Sequence, residues 1–148
     1  MKFSAGWRLK KDMDLSIHQP AIDSKARFTS RVDAYVAARP DYPRDVIEHL
    51  RKDIGLTPAW AIADVGAGTG ISARLFLENG NHVVAVEPNA AMRAAADASL
   101  GGFANYRSVA ASAEATTLAD HSIDLVTAAQ AFHWFDRSAA RREFARIL

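Results

Sequence analysis

An apolar run, Ala61-Ile62-Ala63-Asp64-Val65, is followed at once by three glycines in five positions, Gly66, Gly68 and Gly70, and then by a helical pattern starting at Ile71. A strand, a glycine turn and a helix in that order is a demanding arrangement. Glycine lets the chain reverse sharply and sets bare backbone amides against whatever lies over the turn. Downstream, His82-Val83-Val84-Ala85-Val86-Glu87 reads as a second strand with almost no polar alternation, as expected of one buried on both faces. Glu87 falls 19 residues beyond Gly68 (87 − 68) and ends that strand. If the two strands are parallel neighbours, its carboxylate stands beside the turn, where it can accept hydrogen bonds from both hydroxyls of a ribose.

The same alternation continues along the chain. The glycine turn leads into a helix from Ile71 to about Asn79, closed by Gly80. Asn89 is placed to cap a helix through Met92 to Leu100, and Gly101-Gly102 stops it. Residues 105–110 read as a third strand, Ser122 to Ala129 as a fourth, and a last helix begins near Asp136. Ahead of these, Phe28, Val32, Tyr35 and Val36 share one helical face, and Arg39-Pro40-Asp41-Tyr42-Pro43 breaks that helix. Pro43 then opens another, with Val46, Ile47, Leu50 and Ile54 on one side. The expectation is an α/β fold: a Rossmann-like parallel sheet of about four strands in a three-layer αβα arrangement, preceded by N-terminal helices. Residues 1–22 read as a flexible tail and 23–148 as one domain.

Composition narrows the chemistry. Among 148 residues, Lys plus Arg is 18 and Asp plus Glu is 17, a near-balance that argues against a coat for nucleic acid or anionic membrane. Cysteine is absent, which removes thiolate metal sites, disulfides and cysteine nucleophiles together. His18, His49, His82 and His121 lack metal-ligand spacing, so no metal is expected. No run of 18 apolar residues exists, and no apolar stretch follows the basic start, so a cytoplasmic, non-membrane location is the default expectation.

Two ligand classes use a glycine turn with an acid after the next strand. The dinucleotide fingerprint G-x-G-x-x-G puts its third glycine five positions after the first; here Gly70 comes four after Gly66, and the fifth position is Ile71. Asp64 also stands two residues before the first glycine, where a pyrophosphate would be repelled and an α-ammonium attracted. The balance favours an adenosyl ligand joined to an amino acid. An NAD-dependent oxidoreductase fragment stays as a rival, beside glycines that merely make a tight turn.

These residues resemble a known family. Asp64-Val65-Gly66-Ala67-Gly68-Thr69-Gly70 is similar to the first motif of class I S-adenosylmethionine-dependent methyltransferases, and Glu87-Pro88-Asn89 with Met92 to their second. Ser112-Ala113-Glu114 ahead of Leu118, then residues 120–126, resembles the stretch that closes over adenine. Residues 130–136 and 143–148 resemble the methyltransferase type 11, trans-aconitate methyltransferase-like subgroup, and Tyr35, Arg39-Pro40 and Tyr42-Pro43 fit its N-terminal segment.

The resemblance implies S-adenosylmethionine as cofactor, S-adenosylhomocysteine as product and a small-molecule acceptor. Gly66, Ala67 and Gly68 would pack on the methionine part, with Asp64 orienting its amino group. Glu87 would hold the ribose, and Asn89 would lie beside adenine. Ser112 stands where relatives often carry an acid, and the Ala113 amide would meet a ring nitrogen. Gln130 and Ala131 would face the sulfonium, and Tyr35 and Arg39 complete the cofactor set. His133 is the candidate for deprotonating or orienting an acceptor, its rival role being a hydrogen-bonded histidine at a helix entry. Trp134 and Phe135 read either as an aromatic wall or as core. Arg137, Arg141, Arg142 and Arg146 read either as an attractor of acidic substrate or as a solvated helix face.

The family fold has seven strands, and this sequence stops within the helix after the fourth. The expectation is therefore a C-terminally truncated fold whose fourth strand is an edge, free to pair with a second copy or a partner chain. That keeps open a second reading: a module that binds S-adenosylmethionine or S-adenosylhomocysteine without turnover.

Overall fold

The structure, a computed structural model, describes residues 42–148; the expected tail, the helix over 23–38, and Tyr35 and Arg39 lie outside the described residues. Strand β1 (Ala61–Val65) sits between two partners. On one side it pairs in parallel with β2 (His82–Val86), Ala61 opposite His82 through Val65 opposite Val86. On the other it pairs in parallel with β4 (Leu125–Thr127), Ile62 opposite Leu125. Strand β3 (Tyr106–Val109) lies outside β2, giving the order β3-β2-β1-β4.

Side chains alternate across β1, and so divide between two cores. Ile62 packs with Ile47 of α1 (Asp45–Ile54), with Leu75 and Phe76 of α2 (Ile71–Glu78), and with Leu100 of α3 (Ala90–Leu100). Ala63 and Val65 pack on the opposite face with Val86, Ile123 and the α4 (Arg137–Ile147) residues Ala140 and Ile147. Helices thus cover both faces, which is the three-layer Rossmann-like fold expected. Ile62, Val65, Val86, Leu100 and Ile147 are entirely buried, each contributing on the order of 1.5–3 kcal/mol through removal from water. Asp64 shares the face of Ile62, which aims a carboxylate at α2.

Local chemistry sets the ends of the elements. The Asn89 side chain accepts from the Ala91 and Met92 amides at 3.0 and 3.1 Å and starts α3. Asp136 starts α4 in the same way, through Ser138 and Ala139. At the far end of α4, the Arg146 and Ile147 carbonyls accept from the His121 and Ile123 amides, both at 3.0 Å.

Three expectations shift. Pro43 does not open α1: the helix starts at Asp45, with the Pro43 carbonyl accepting from the Val46 amide at 3.1 Å. Ile54 lies off the buried face of α1 and is exposed. The fourth strand is three residues rather than eight, because Ile123 donates its amide to α4 and the ladder with β1 begins only at the Asp124 amide, 2.8 Å from the Ala61 carbonyl. Among the described residues, no helix is long and apolar enough to cross a membrane.

Candidate functional site

A cleft of about 1060 Å³, its open mouth included, lies across the carboxyl ends of the four strands. This is where an open α/β sheet places its ligands, beside the point at which strand order reverses between β1 and β4. The end of β1 contributes Gly66, Ala67 and Gly68; the end of β2 contributes Glu87 and Asn89. Ser112 and Ala113 follow β3, and Gln130 and Ala131 follow β4. Nine residues expected from the sequence are thereby brought to one surface.

The glycine turn is held from both sides. The Gly66 and Ala67 amides donate to the Val86 carbonyl at 2.8 and 3.3 Å, and Gly66 and Gly68 both take left-handed backbone conformations. A Cβ on Gly66 would lie 2.5 Å from the Ala131 Cβ, so only glycine lets the two strand ends close together. A Cβ on Gly68 would meet no atom within 4 Å. That space belongs to the cleft.

Glu87 ties the turn to the next helix. One carboxylate oxygen accepts from the Gly68 amide at 2.9 Å and the other from the Asn89 amide at 2.8 Å. Each ionised carboxylate oxygen has about two lone-pair sites, so each retains one. Glu87 is only 8% exposed yet lines the cleft, so the exposure it retains is toward the cleft.

Asp64 is set one layer back. It is completely buried and absent from the cleft lining. Its two oxygens accept from Ser72 Oγ at 2.6 Å and Thr127 Oγ1 at 3.0 Å, linking β1 to α2 and β4. Burial raises its pKa above the usual carboxylate range, opposed by the hydrogen bonds from Ser72 and Thr127. Ser72 itself lines the cleft, as does Thr69, whose Oγ1 is buried with no hydrogen-bond partner. These two hydroxyls were not singled out in the sequence. Their only signal there was position, on either side of Gly70 at the start of α2.

The structure does not bring His133 to the cleft. It is exposed in a short 3₁₀ turn (Phe132–Trp134), its ring 4.8 Å from that of Trp134, while Trp134 and Phe135 line the cleft. Side chains in such a turn diverge by about a third of a revolution per residue, so Trp134 can line the cleft while His133 does not. Phe135 also packs edge-on against Phe144 of α4, making it both wall and core. Arg137 lies 6.0 Å from the centre of the Phe132 ring, whereas Arg146 is engaged by Glu143 and Asp120.

The segment over 112–121 is fastened to α4 at both ends. Glu114 accepts from the Asp136 amide at 3.0 Å. Glu143 accepts from the Thr116 amide at 2.8 Å and from the Thr116 hydroxyl. The Arg146 guanidinium beside Glu143 holds its pKa down at about 2.

A parallel sheet of order 3-2-1-4 with a glycine turn and a carboxylate meeting over its strand ends defines a Rossmann-like α/β domain with a cleft at the carboxyl edge of its sheet. The sequence model of a family described as a methyltransferase domain matches residues 63–148, and the chain belongs to that family. It is 38% identical over 128 residues to an uncharacterized methyltransferase of Mycobacterium bovis, covering 85% of this chain and 49% of the relative. To an uncharacterized methyltransferase of Schizosaccharomyces pombe it is 33% identical over 122 residues, covering 82% and 47%. The chain thus spans about half the length of the curated relatives it matches. Among solved structures, a candidate type II methyltransferase from Anaeromyxobacter dehalogenans superposes with a TM-score of 0.62 at 34% identity, over 74% of this chain and 44% of that one. A SAM-dependent methyltransferase from Aquifex aeolicus shares the fold alone, with a TM-score of 0.66 at 20% identity over 80% and 66% of the two chains.

Proposed function

We propose that this chain carries the cofactor site of an S-adenosylmethionine-dependent methyltransferase acting on a small-molecule O, N or C acceptor. The observation that carries the reading is the pair of acceptor positions left on Glu87 after its bonds to Gly68 and Asn89. Two adjacent acceptors match a vicinal diol. The open space over Gly68 and the unpartnered Thr69 hydroxyl fit the same ligand, since a filled turn would exclude it and a buried orphan hydroxyl costs about 1–3 kcal/mol until bonded.

When bound, S-adenosylmethionine supplies a methyl group on a sulfonium, already activated toward in-line displacement. The chain's own task is placement and exclusion of water. Glu87 holds the ribose, Asn89, Ser112 and the Ala113 amide frame the adenine, and Gly66 to Gly68 leave room for the amino-acid arm. Gln130, Ala131 and Trp134 form the wall on the sulfonium side. Tyr35 and Arg39 remain part of the proposed set. No general base is assigned.

Calorimetric titration of S-adenosylmethionine, S-adenosylhomocysteine and NAD into wild type and Glu87→Ala tests the reading. Binding of the adenosyl ligands that Glu87→Ala weakens supports it. Binding of NAD alone overturns it.

We assign the chain to the trans-aconitate methyltransferase-like subgroup on residues 130–136, with the remaining strands of a larger fold outside these 148 residues and a cytoplasmic location. The span of about half its relatives' length supports the larger fold. A second reading, a module that binds S-adenosylmethionine or S-adenosylhomocysteine without turnover and needs a partner or self-association, is favoured by β4. Among the described residues this strand pairs on one side only and carries neither lysine nor proline.

A further inference from the structure

We infer that Glu143 is a positioning residue for the adenine side of the cleft: acting through Thr116, it fixes the turn that presents Ser112 and Ala113, and it touches no ligand itself. The inference rests on the adenosyl reading above, which sets adenine against Ser112 and Ala113. Residues 110–124 join β3 to β4 without helix or strand, apart from one bridge between Ser112 and Ala115. Connections of that length are uncommon in compact domains and tend to be binding or lid segments. Ser112, Ala113 and Glu114 line the cleft, whereas Thr116 and Glu143 lie behind them, outside its lining.

The turn is tied down by side chains. Thr116 is completely buried, and its amide (at 2.8 Å) and its hydroxyl both donate to one oxygen of Glu143. The Leu118 amide closes back on that hydroxyl at 3.4 Å. Arg146 holds the Glu143 carboxylate with two hydrogen bonds, of 2.7 and 2.9 Å, and is itself paired with Asp120. Seven residues earlier (143 − 136), about two helical turns, the Asp136 amide donates to Glu114. One helix therefore carries both anchors. Beside Thr116, Thr117 has a φ of 62°, a left-handed conformation that a β-branched residue keeps only where its surroundings impose it. The grip of Glu143 on Thr116 is that imposition. Without it Thr117 relaxes to ordinary backbone, and the turn just before it shifts off the cleft wall.

The experiment compares S-adenosylhomocysteine with S-ribosylhomocysteine, which keeps the ribose, thioether and amino acid and lacks the base. Affinities are measured by calorimetry for the full chain and for Thr116→Val, Thr116→Ser, Glu143→Ala and a control, Ile147→Val. Thr116→Val and Glu143→Ala should each weaken S-adenosylhomocysteine about 5- to 10-fold and leave S-ribosylhomocysteine within about 2-fold. Thr116→Ser keeps the hydroxyl and should bind as wild type does. Ile147→Val trims a buried side chain of the same helix, so it should lower the melting temperature and leave both affinities unchanged. That separates a displaced turn from a general loss of stability. Adding Thr117→Asn to Thr116→Val should recover S-adenosylhomocysteine binding, because asparagine takes the left-handed conformation readily; this arm stands even if Glu143→Ala folds poorly. Equal losses for the two ligands, no loss for S-adenosylhomocysteine, or no recovery with Thr117→Asn overturns the inference. If neither ligand binds wild type, the adenosyl reading falls and the inference with it.

Discussion

Glu87 accepts the Gly68 amide at 2.9 Å, so the acid that ends β2 and the turn that leaves β1 are one bonded unit across 19 residues of sequence. Replacing Glu87 with Ala leaves the half-buried Gly68 and Asn89 amides without their acceptor as well as removing the proposed diol contacts. The expected cost is about 1–3 kcal/mol of stability, read by urea denaturation, together with at least about a 10-fold loss of adenosyl-ligand affinity. Glu87→Gln keeps one acceptor oxygen and should lose less stability than Glu87→Ala.

Two glycines of the same turn separate folding from binding. Gly66→Ala places a Cβ 2.5 Å from that of Ala131 in a left-handed backbone and should cost about 2–5 kcal/mol, strain and overpacking together. Gly68→Ala meets no protein atom and bears only the backbone penalty of about 1–2 kcal/mol, yet it fills ligand space. Chemical denaturation should rank Gly66→Ala as the more damaging, with Gly68→Ala weakening S-adenosylhomocysteine out of proportion to its effect on stability.

Two carboxylates respond to pH with opposite sign. The pKa of Glu143 is lowered from 4.5 to about 2 by Arg146 and Thr116, so the stability it contributes is present above the unfolded value and lost as pH falls from about 4.5 toward 2. The effect should be about 1 kcal/mol, since Arg146 is well exposed to screening solvent. Asp64 is raised by burial, so its contribution is present below the unfolded value near 3.8 and lost as pH rises through the folded value. Urea midpoints followed across acidic pH should show a shallower acid loss in Glu143→Gln and a steeper one in Asp64→Asn, relative to wild type.

Among the described residues β4 pairs on one side only, and this predicts self-association. Light scattering at micromolar concentration should give a mass above the 16.1 kDa of one chain. A stable monomer would remove that route.

The parallel sheet and the meeting of the glycine turn with Glu87 were legible because they follow from strand alternation and from one spacing in the sequence, whereas the place of the fourth strand at an edge came only from the family resemblance. Asn89 and Asp136 were legible as helix starts, since their side chains act on amides two and three residues away. What escaped depended on tertiary packing. The Thr69 hydroxyl is orphaned only because the cleft wall closes around it. Nothing in the string distinguishes Trp134, which reaches the cleft, from His133, which does not. Ser122 and Ile123 look like strand until α4 claims the Ile123 amide. Asp64 was readable as important, but its separation from the ligand space by Ser72 is a matter of layers.

The cleft draws on the ends of all four strands, and its lining runs from Tyr42 to Phe135 along the sequence. A cleft assembled in this way is present only when the whole sheet is in register, because a slipped or unzipped strand removes one side of it. Occupancy is therefore a reporter of native assembly. At 100 times its dissociation constant, a ligand specific for the folded cleft adds about 2.7 kcal/mol against unfolding, which makes ligand-dependent melting a direct gauge of how much of the chain is folded.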